Sequence, residues 1–387
     1  MSLNRCHNID HLRAKAKRRL PAPIFHYLDG GADDEVTLRR NTDAFDDYEF
    51  VPNLLHDTTS IDTKIKVLGV ELDWPVFLSP TGMSKLFHHT GELAAAQAAH
   101  TAGTLYSLST MSTTTIEDVA AETPGPKMFQ VYVYKDRGLT KEFIERCKAA
   151  KYDAICLTID VPVPGNRERD KITGMTMPPK LSLSSIFSFA THPHWSLNAL
   201  RDPSFDLANM SKSKDLSIKG KQVSPTQYLS SQVDNSITWK DAEWMAQEWG
   251  GRFVIKGVHS AHDARKAAEI GAHGVMVSNH GGRQLDGVQA CIDALPPIVD
   301  AVGGELDVIL DGGIRRGTHV IKALALGATA CSIGRSYLYG LAAGGREGVE
   351  KALTLLRKEI ENDMALMGVS KISDITREMV VRRGTEL

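Results

Sequence analysis

From residue 75 onward the chain repeats one pattern, a short apolar run rich in β-branched residues followed by a longer stretch with helical spacing. The runs are PVFLS (75–79), TLYSLS (104–109), MFQVYVY (128–134), AICLTID (154–160), FVIKG (253–257), GVMVS (274–278), DVILD (307–311) and ATACSIG (328–334). Strands that are apolar throughout and alternate with helices indicate a parallel sheet covered on its faces. Eight such units can close into an α/β (β/α)8 TIM barrel, and an open doubly wound sheet is the competing arrangement. Before the first unit, residues 10–19 and 23–28 read as two short helices, the second running into the glycines of DGGADDE. The barrel is expected over about 75–362, with the whole chain, 1–387, forming one domain.

One interval breaks the rhythm. Residues 161–237 are far longer than an ordinary strand-to-helix connection and read as a long loop or lid after strand 4. It begins with VPVPGNRERD, continues through the apolar LSLSSIFSFATHPHW, and ends in MSKSKDLSIKGK. An apolar piece followed by lysines could rest on a membrane surface or cover the barrel mouth. Packing on the barrel or on a neighbouring subunit is the plainer alternative. The basic run Arg13, Lys15, Lys17, Arg18 and Arg19 reads as a solvated helix face.

Barrel chemistry gathers at the carboxyl ends of the strands, and every end here is polar or glycine-rich. Strand 1 ends in Pro80, Thr81 and Gly82, and strand 2 in Ser109. Gln130 and Tyr132 on strand 3, and Thr158 and Asp160 on strand 4, are two apart and so share a face. Arg167 follows. Strand 5 finishes at Lys256, and strand 6 at Ser278 with His280 and Arg283 beyond it. Strand 7 ends in Asp311, Gly312 and Gly313 with Arg315, and strand 8 in Gly334 and Arg335.

His280 can exchange a proton near neutral pH, and Arg283 offers a planar fork suited to a carboxylate. Together they suggest a site for a small acid that needs a base, with Asp160 placed to orient the histidine. A lysine at the end of an apolar strand is costly unless it is used. Lys256 could form a Schiff base, hold a fixed charge beside a cofactor that becomes anionic, or sit in a structural ion pair. Tyr27, beside Gly30 and Gly31, is either packing or ligand contact. The turns DGGIRRG and SIGRS, after the last two strands, suit a phosphate monoester such as that of FMN. No GxGxxG opens an early strand-turn-helix unit, which leaves a nicotinamide dinucleotide without a seat.

Composition narrows the partners. Hydrophobic residues make up 42% and charged residues 24%, as in an ordinary soluble protein, and the formal net charge is -2. No global field is available to hold nucleic acid. The five cysteines include no CxxC pair and no zinc-like spacing, so a reducing compartment and no metal are expected. No apolar run reaches the roughly 18 residues of a membrane span, and the charged N-terminus does not read as a signal peptide. A cytoplasmic protein is expected, with peripheral contact to the inner face of the cell membrane as a further possibility.

The strings FHYLDGGA, SPTG, FQVYVYKDR, LTIDVPVPGNRERD, VIKG, SNHGGRQLDG, DGGIRRG and IGRSYLYGLA run nearly from end to end. With them the chain resembles the FMN-dependent L-2-hydroxy acid oxidising family, and within it the bacterial respiratory L-lactate dehydrogenases. The resemblance implies His280 as base, Asp160 as its support, and Arg167 and Arg283 gripping the substrate carboxylate with Tyr27. It places Tyr132 at the hydroxyl side and Lys256 at the flavin N1/O2 edge. Pro80, Thr81, Gly82, Ser109, Gln130, Thr158 and Ser278 would hold the isoalloxazine and ribityl parts. Asp311, Gly312, Gly313, Arg315, Gly334 and Arg335 would hold the ribityl tail and phosphate.

The implied reaction takes the hydroxyl proton onto His280 and passes hydride to flavin N5; a carbanion route uses the same residues. L-lactate is the first expectation for substrate, with mandelate, glycolate and longer acids behind it. Electrons would pass to a quinone or another carrier, because Gly82 stands where several family oxidases have alanine. An oxygen-reducing oxidase is the alternative, and a Lys256 aldolase or a barrel that merely binds a phosphorylated ligand is a more remote one. The resemblance also implies a homotetramer.

Overall fold

The eight apolar runs become the eight strands of a closed, all-parallel barrel: β1 (Val76–Thr81), β2 (Tyr106–Ser109), β3 (Lys127–Val131), β4 (Ala154–Thr158), β5 (Arg252–Val258), β6 (Gly274–Ser278), β7 (Asp307–Asp311) and β8 (Ala330–Ile333). The computed structural model describes residues 2–175, 182–201, 207–210, 217–218, 221–222, 228 and 231–384. Neighbours in the barrel are neighbours in sequence, and β8 closes on β1 through the pairs Cys331–Val76, Ser332–Phe77 and Ile333–Leu78. Closure excludes the open doubly wound sheet.

Three strands stop short of their apolar runs. β3 ends at Val131 rather than 134, β4 at Thr158 rather than 160, and β8 at Ile333 rather than 334. For β3 the reason is competition for the backbone, since Tyr134 bridges to Val233, at the far end of the long connection, instead of to a barrel neighbour.

Helices α1 (Ile9–Arg19), α2 (Ala22–Asp29) and α3 (Val36–Asp43) precede the barrel. Around it lie α4 (Gly91–Thr101), α5 (Ile116–Glu122), α6 (Arg137–Ala149), α7 (Glu168–Thr173), α8 (Leu183–Ala190), α9 (Pro193–Arg201), α10 (Trp239–Trp249), α11 (Ala261–Glu269), α12 (Cys291–Val302), α13 (Gly317–Ala325) and α14 (Arg335–Met367). Local chemistry sets several starts. Asp136 caps α6 by accepting the amides of Gly138 and Leu139, Ser260 caps α11 through Asp263, and Thr238 with Asp241 forms a capping box on α10. Part of the basic run on α1 is structural rather than solvated. Arg13 grips Asp29 with two bonds of 2.6 and 2.7 Å, and Arg19 donates to the Ala343 carbonyl.

The interior of the barrel changes character along each strand. Phe77, Leu105, Met128, Cys156, Val254, Met276, Ile309 and Ala330 form a dry cluster with Val67, Leu68 and Leu72 of a short hairpin. Full burial of a large apolar side chain stabilises the fold by roughly 1.5–3 kcal/mol. Two residues further along, on the same inward face, stand Ser79, Gln130, Thr158, Lys256, Ser278, Asp311 and Ser332. One end of the barrel is thereby sealed and the other is polar.

The long connection is not a structureless loop. Its described part carries α7, α8 and α9, with Ser182 capping α8 through the Ser185 amide. Helix forms there because LSSIFSFA presents Leu183, Ile186 and Phe187 at i, i+3 and i+4 while Ser185 and Phe189 face inward. Most of the Lys/Ser piece, 211–216 and 219–220, lies outside the described residues.

Candidate active site

At the polar end the strands open into a cavity of about 640 Å³. Tyr27, Pro80, Thr81, Gly82, Ser109, Gln130, Tyr132, Thr158 and Arg167 line one part of it. Lys256, His280, Arg283, Asp311, Gly312, Gly313, Arg315, Gly334 and Arg335 line the rest. Only two of the sequence-derived residues stand outside the lining. Asp160 lies behind His280, and Ser278 lies behind Lys256.

His280 is the first residue beyond Asn279 on the β6 loop, and it adopts a left-handed backbone, φ 58°, uncommon for a residue with a side chain. Its amide donates to Ser278 Oγ at 3.2 Å, and its Nδ1 faces Asp160 Oδ1 at 3.1 Å. That contact leaves Nε2 for a ligand. Burial is the strongest influence on Asp160 and acts to raise its pKa, but the charges of His280 and Lys256 and the His280 hydrogen bond outweigh it, and the carboxyl is lowered. Asp160 therefore stays ionised.

The same cavity is lined by two guanidinium groups that pack on one phenol. Arg167 and Arg283 lie 5.5 and 5.0 Å from the Tyr27 ring centre. Arg283 is fixed from behind, donating through Nη1 to the Tyr27 carbonyl at 2.7 Å and the Gly30 carbonyl at 3.1 Å. Burial, helped by the neighbouring Arg167 charge, lowers its pKa. Two partly buried cations against one ring favour an anion nearby. Asp170 supplies part of it, 3.4 Å from Arg167 Nε.

Lys256 is paired. Its Nζ lies 2.6 Å from Asp311 Oδ2 and donates to Ser278 Oγ at 2.8 Å, while Ser278 and Ser332 both donate to Asp311, at 2.7 and 2.6 Å. Burial opposes charge on both partners, yet their mutual attraction prevails, raising Lys256 and taking Asp311 down to about 2. A lysine held protonated in this way is not a nucleophile. The geometry counts against a Schiff base and for a permanent charge at the cavity wall.

In the same cavity, Gln130 Nε2 and Thr158 Oγ1 are buried with no hydrogen-bond partner among the described residues, although Ser109 donates to Gln130 Oε1 at 2.9 Å. Buried polar atoms without partners call for a ligand. At the other end, Gly313 has φ 77°, and a Cβ there would fall 1.7 Å from the Asn41 carbonyl. Only glycine fits that turn. Arg335 directs its three nitrogens to the carbonyls of Leu28, Gly281 and Gly30, and Arg315 donates to the Ile314 carbonyl at 2.8 Å. The unpartnered amide and hydroxyl at one end, with glycine turns and arginines at the other, fit a flat heteroaromatic group carrying a phosphate tail.

Several residues escape the sequence reading. Ser332 follows from the same two-residue alternation that marks Gly334, and Ser79 from that of Thr81. Glu92 has no such signal. It is fully buried at the start of α4 and accepts from Ser84, Thr113 and Thr114, tying the turn after β1 to the flap after β2. Met83, Phe87, Met175 and Val233 also line the cavity, together with Met111 of the flap after β2, which the sequence reading does place at the side-chain pocket.

Known proteins give the same picture. The profile of a family described as FMN-dependent dehydrogenase matches residues 16–382. L-lactate dehydrogenase from Vibrio cholerae (strain M66-2) is 42% identical over 378 residues, covering 96% of this chain and 98% of that one. L-lactate dehydrogenase from Alcaligenes faecalis is 43% identical over 377 residues, 96% and 98% of the two chains. Among solved structures, the monotopic membrane protein (S)-mandelate dehydrogenase superposes with a TM-score of 0.93 at 35% identity, over 98% of this chain and 100% of that one. Mandelate oxidase with (S)-4-hydroxymandelic acid superposes with a TM-score of 0.83 at 34% identity, over 96% and 98%. The barrel, the polar cavity and these matches together establish that the chain belongs to the FMN-dependent dehydrogenase family, whose members oxidise 2-hydroxy acids.

Proposed function

We propose that the substrate is L-lactate and that His280 removes its hydroxyl proton. The observation that carries this reading is that the His280–Asp160 dyad and the Arg167–Tyr27–Arg283 clamp meet at one cavity. The clamp holds the carboxylate, so the carbon next to it and its hydroxyl are presented to His280 Nε2 and Tyr132. Nε2 accepts the hydroxyl proton, and Asp160 steadies the resulting imidazolium. Bound FMN supplies the acceptor for the α-hydrogen and its electron pair, which leaves a 2-keto acid. Pro80, Thr81, Gly82, Ser109, Gln130 and Thr158 would hold the ring and ribityl part, with Lys256 giving a fixed charge at the ring edge and Ser278 and Asp311 fixing that charge from behind. Gly312, Gly313, Arg315, Gly334 and Arg335 would hold the tail and phosphate. The test is anaerobic bleaching of the yellow protein across a panel of L-2-hydroxy acids. L-lactate should act fastest; a panel led by mandelate overturns the substrate, and no bleaching by any member overturns the site.

We further propose that the electrons leave to a membrane quinone and that the protein sits on the cytoplasmic face as a peripheral homotetramer. Leu183 and Phe187 of α8 are 86% and 70% exposed, and Ile186, Ile172 and Leu197 are exposed nearby in sequence on α7, α8 and α9. Ala22 at the start of α2 donates to Ser188 of α8, and α1 before it exposes Lys17 and Arg18. Apolar and basic groups in succession suit an anionic bilayer surface. Among the described residues no helix is long and apolar enough to cross a membrane. Exposed Leu54 and Leu55, brought toward Leu366 by the Asn53 amide bonding to the Met367 carbonyl, offer an apolar patch for self-association. Sedimentation with anionic vesicles, oxygen consumption during lactate turnover and light scattering check these points. Peroxide formed as fast as lactate is oxidised in air overturns the quinone.

A further inference from the structure

The left-handed backbone of His280 needs an external cause. A non-glycine residue held at φ 58° persists only where its surroundings over-determine it. Within the loop the Gly282 amide closes the turn around His280 and Gly281 with two bonds of 3.1 Å, one to the Asn279 backbone carbonyl and a second to the Asn279 side-chain Oδ1. The second works only with the side-chain amide in one orientation. Reversed, it would point its NH₂ at another N–H.

The orientation is read by a residue far away in sequence. Asn41, on α3, forms a reciprocal amide pair with Asn279: Asn41 Nδ2 donates to Asn279 Oδ1 at 2.8 Å, and Asn279 Nδ2 donates to Asn41 Oδ1 at 2.8 Å. Asn279 Nδ2 also donates to the Gln289 carbonyl at 3.2 Å, and Asn41 Oδ1 also accepts the Cys291 amide at 3.4 Å. The two side chains are 3% and 7% exposed, so water does not compete for these bonds. The same loop grips α3 a second time. Asp286 accepts the Val36 and Thr37 amides at 3.1 and 2.7 Å, and a Cβ on Gly282 would meet the Leu38 amide nitrogen at 2.6 Å.

We propose that Asn41 is a positioning residue for the base. Through Asn279 it fixes the turn that aims the His280 ring at Asp160, and this role rests on the reading of His280 as the proton acceptor. The clamp does not depend on it, because Arg283 is anchored separately on the carbonyls of Tyr27 and Gly30. The glycine turn after β7 leans chiefly on the Asn41 backbone carbonyl, 1.7 Å from a Cβ placed on Gly313, and more loosely on its side-chain Cγ, 3.9 Å from one placed on Gly312.

The test is Asn41→Asp in the FMN-loaded enzyme. An ionised carboxylate cannot donate to Asn279 Oδ1, whereas a protonated one can. The expected result is a fall in kcat of at least about tenfold at about pH 8 with KM changed less than about threefold, and a ratio of variant to wild-type kcat that rises as the pH is lowered toward about 5.5. Hydrogen exchange over residues 279–287 should quicken at the higher pH in the variant without FMN as well. A merely structural amide pair predicts kcat and KM lost together, or a ratio flat with pH, and either result overturns the proposal. Asn41→Ala carries the test if the first variant does not accumulate: the same split between kcat and KM is expected, now without pH recovery, and wild-type kcat in that variant overturns it. Wild-type protein that no L-2-hydroxy acid bleaches refutes the base itself instead.

Discussion

The strand ends and the long connection after β4 meet at one cavity but are built on opposite terms. At the strand ends each charged group is held by others: Lys256 by Asp311, Ser278 and Ser332 behind it, His280 by Asp160, and Arg283 by two carbonyls. Along α7, α8 and α9 the side chains that stand out are apolar and face away from the barrel, Phe187 at 70% and Ile172 at 76% exposure. Among the described residues of this connection, Arg167, Asp170 and Lys171, at the start of α7 and within it, are the helix side chains that reach the cavity wall. Chemistry is placed where over-determined geometry can hold strain, and the choice of surroundings is placed where a side chain can change without disturbing it.

The sharpest way to break that division is at the strand ends. His280→Ala removes the only imidazole lining the cavity among the described residues, and lactate-driven flavin bleaching should slow by at least about 10³-fold, within the range general base catalysis supplies. The protein should remain folded and yellow. Stopped-flow absorbance checks this, and turnover near the wild-type rate would remove the strand ends from the chemistry.

Next comes Asp311→Asn, which leaves a buried ammonium without its counter-charge. Removing one partner of such a pair costs about 3–5 kcal/mol. The pH dependence has a definite sign. Asp311 is lowered to about 2, below its unfolded value of about 3.9, so its contribution is present above about pH 4 and is lost as the pH falls through about 2. Denaturant midpoints measured against pH should show wild-type stability declining over that acid window, and the decline should be shallower in the variant. Equal slopes would mean that the pair does not hold this end of the barrel.

How much of this was legible in the sequence follows from the same division. The barrel could be read because parallel strands buried on both faces leave uninterrupted apolar runs, and GVMVS and DVILD coincide with β6 and β7. The site could be read because a polar residue ending such a run, Lys256 or Asp311, is costly without a purpose. The positioning residues could not. Glu92 and Asn41 lie on helices whose spacing says only which face is inward, and their partners are distant in sequence. The helices of the connection were hidden for another reason, since LSSIFSFA carries its apolar stripe outward, against the usual meaning of a hydrophobic face.

A smaller effect is expected at the seam between the two regions. A Cβ on Gly82 would lie 2.8 Å from Met111 Cβ and 3.0 Å from the Met111 carbonyl, and the flap behind it is pinned by Glu92 through Thr113 and Thr114. Overpacking of this kind costs about 1–3 kcal/mol, and part of that should appear as roughly a tenfold loss in the rate of bleaching by L-lactate. Steady-state and stopped-flow rates for Gly82→Ala test it. A variant as fast as wild type would show that the flap yields, and that the wall of the cavity is softer than its hydrogen bonds imply.

The smallest effect on chemistry is expected from the outer face of α8. Ile186→Ser with Phe187→Ser touches exposed side chains, so stability should change by no more than about 0.5 kcal/mol and turnover with a soluble acceptor by less than about twofold. Association with anionic vesicles should respond quite differently. Burying an isoleucine and a phenylalanine in an acyl layer contributes roughly 1.5–3 kcal/mol each, which corresponds to a loss of at least about a hundredfold in vesicle affinity. Pelleting and soluble-acceptor assays on the same preparation separate the two outcomes. If soluble turnover falls as far as in Gly82→Ala, α8 is part of the cavity's support, and the division between a fixed chemical end and a free surface segment does not hold; if affinity alone collapses, the connection acts on where the enzyme works and not on what it does.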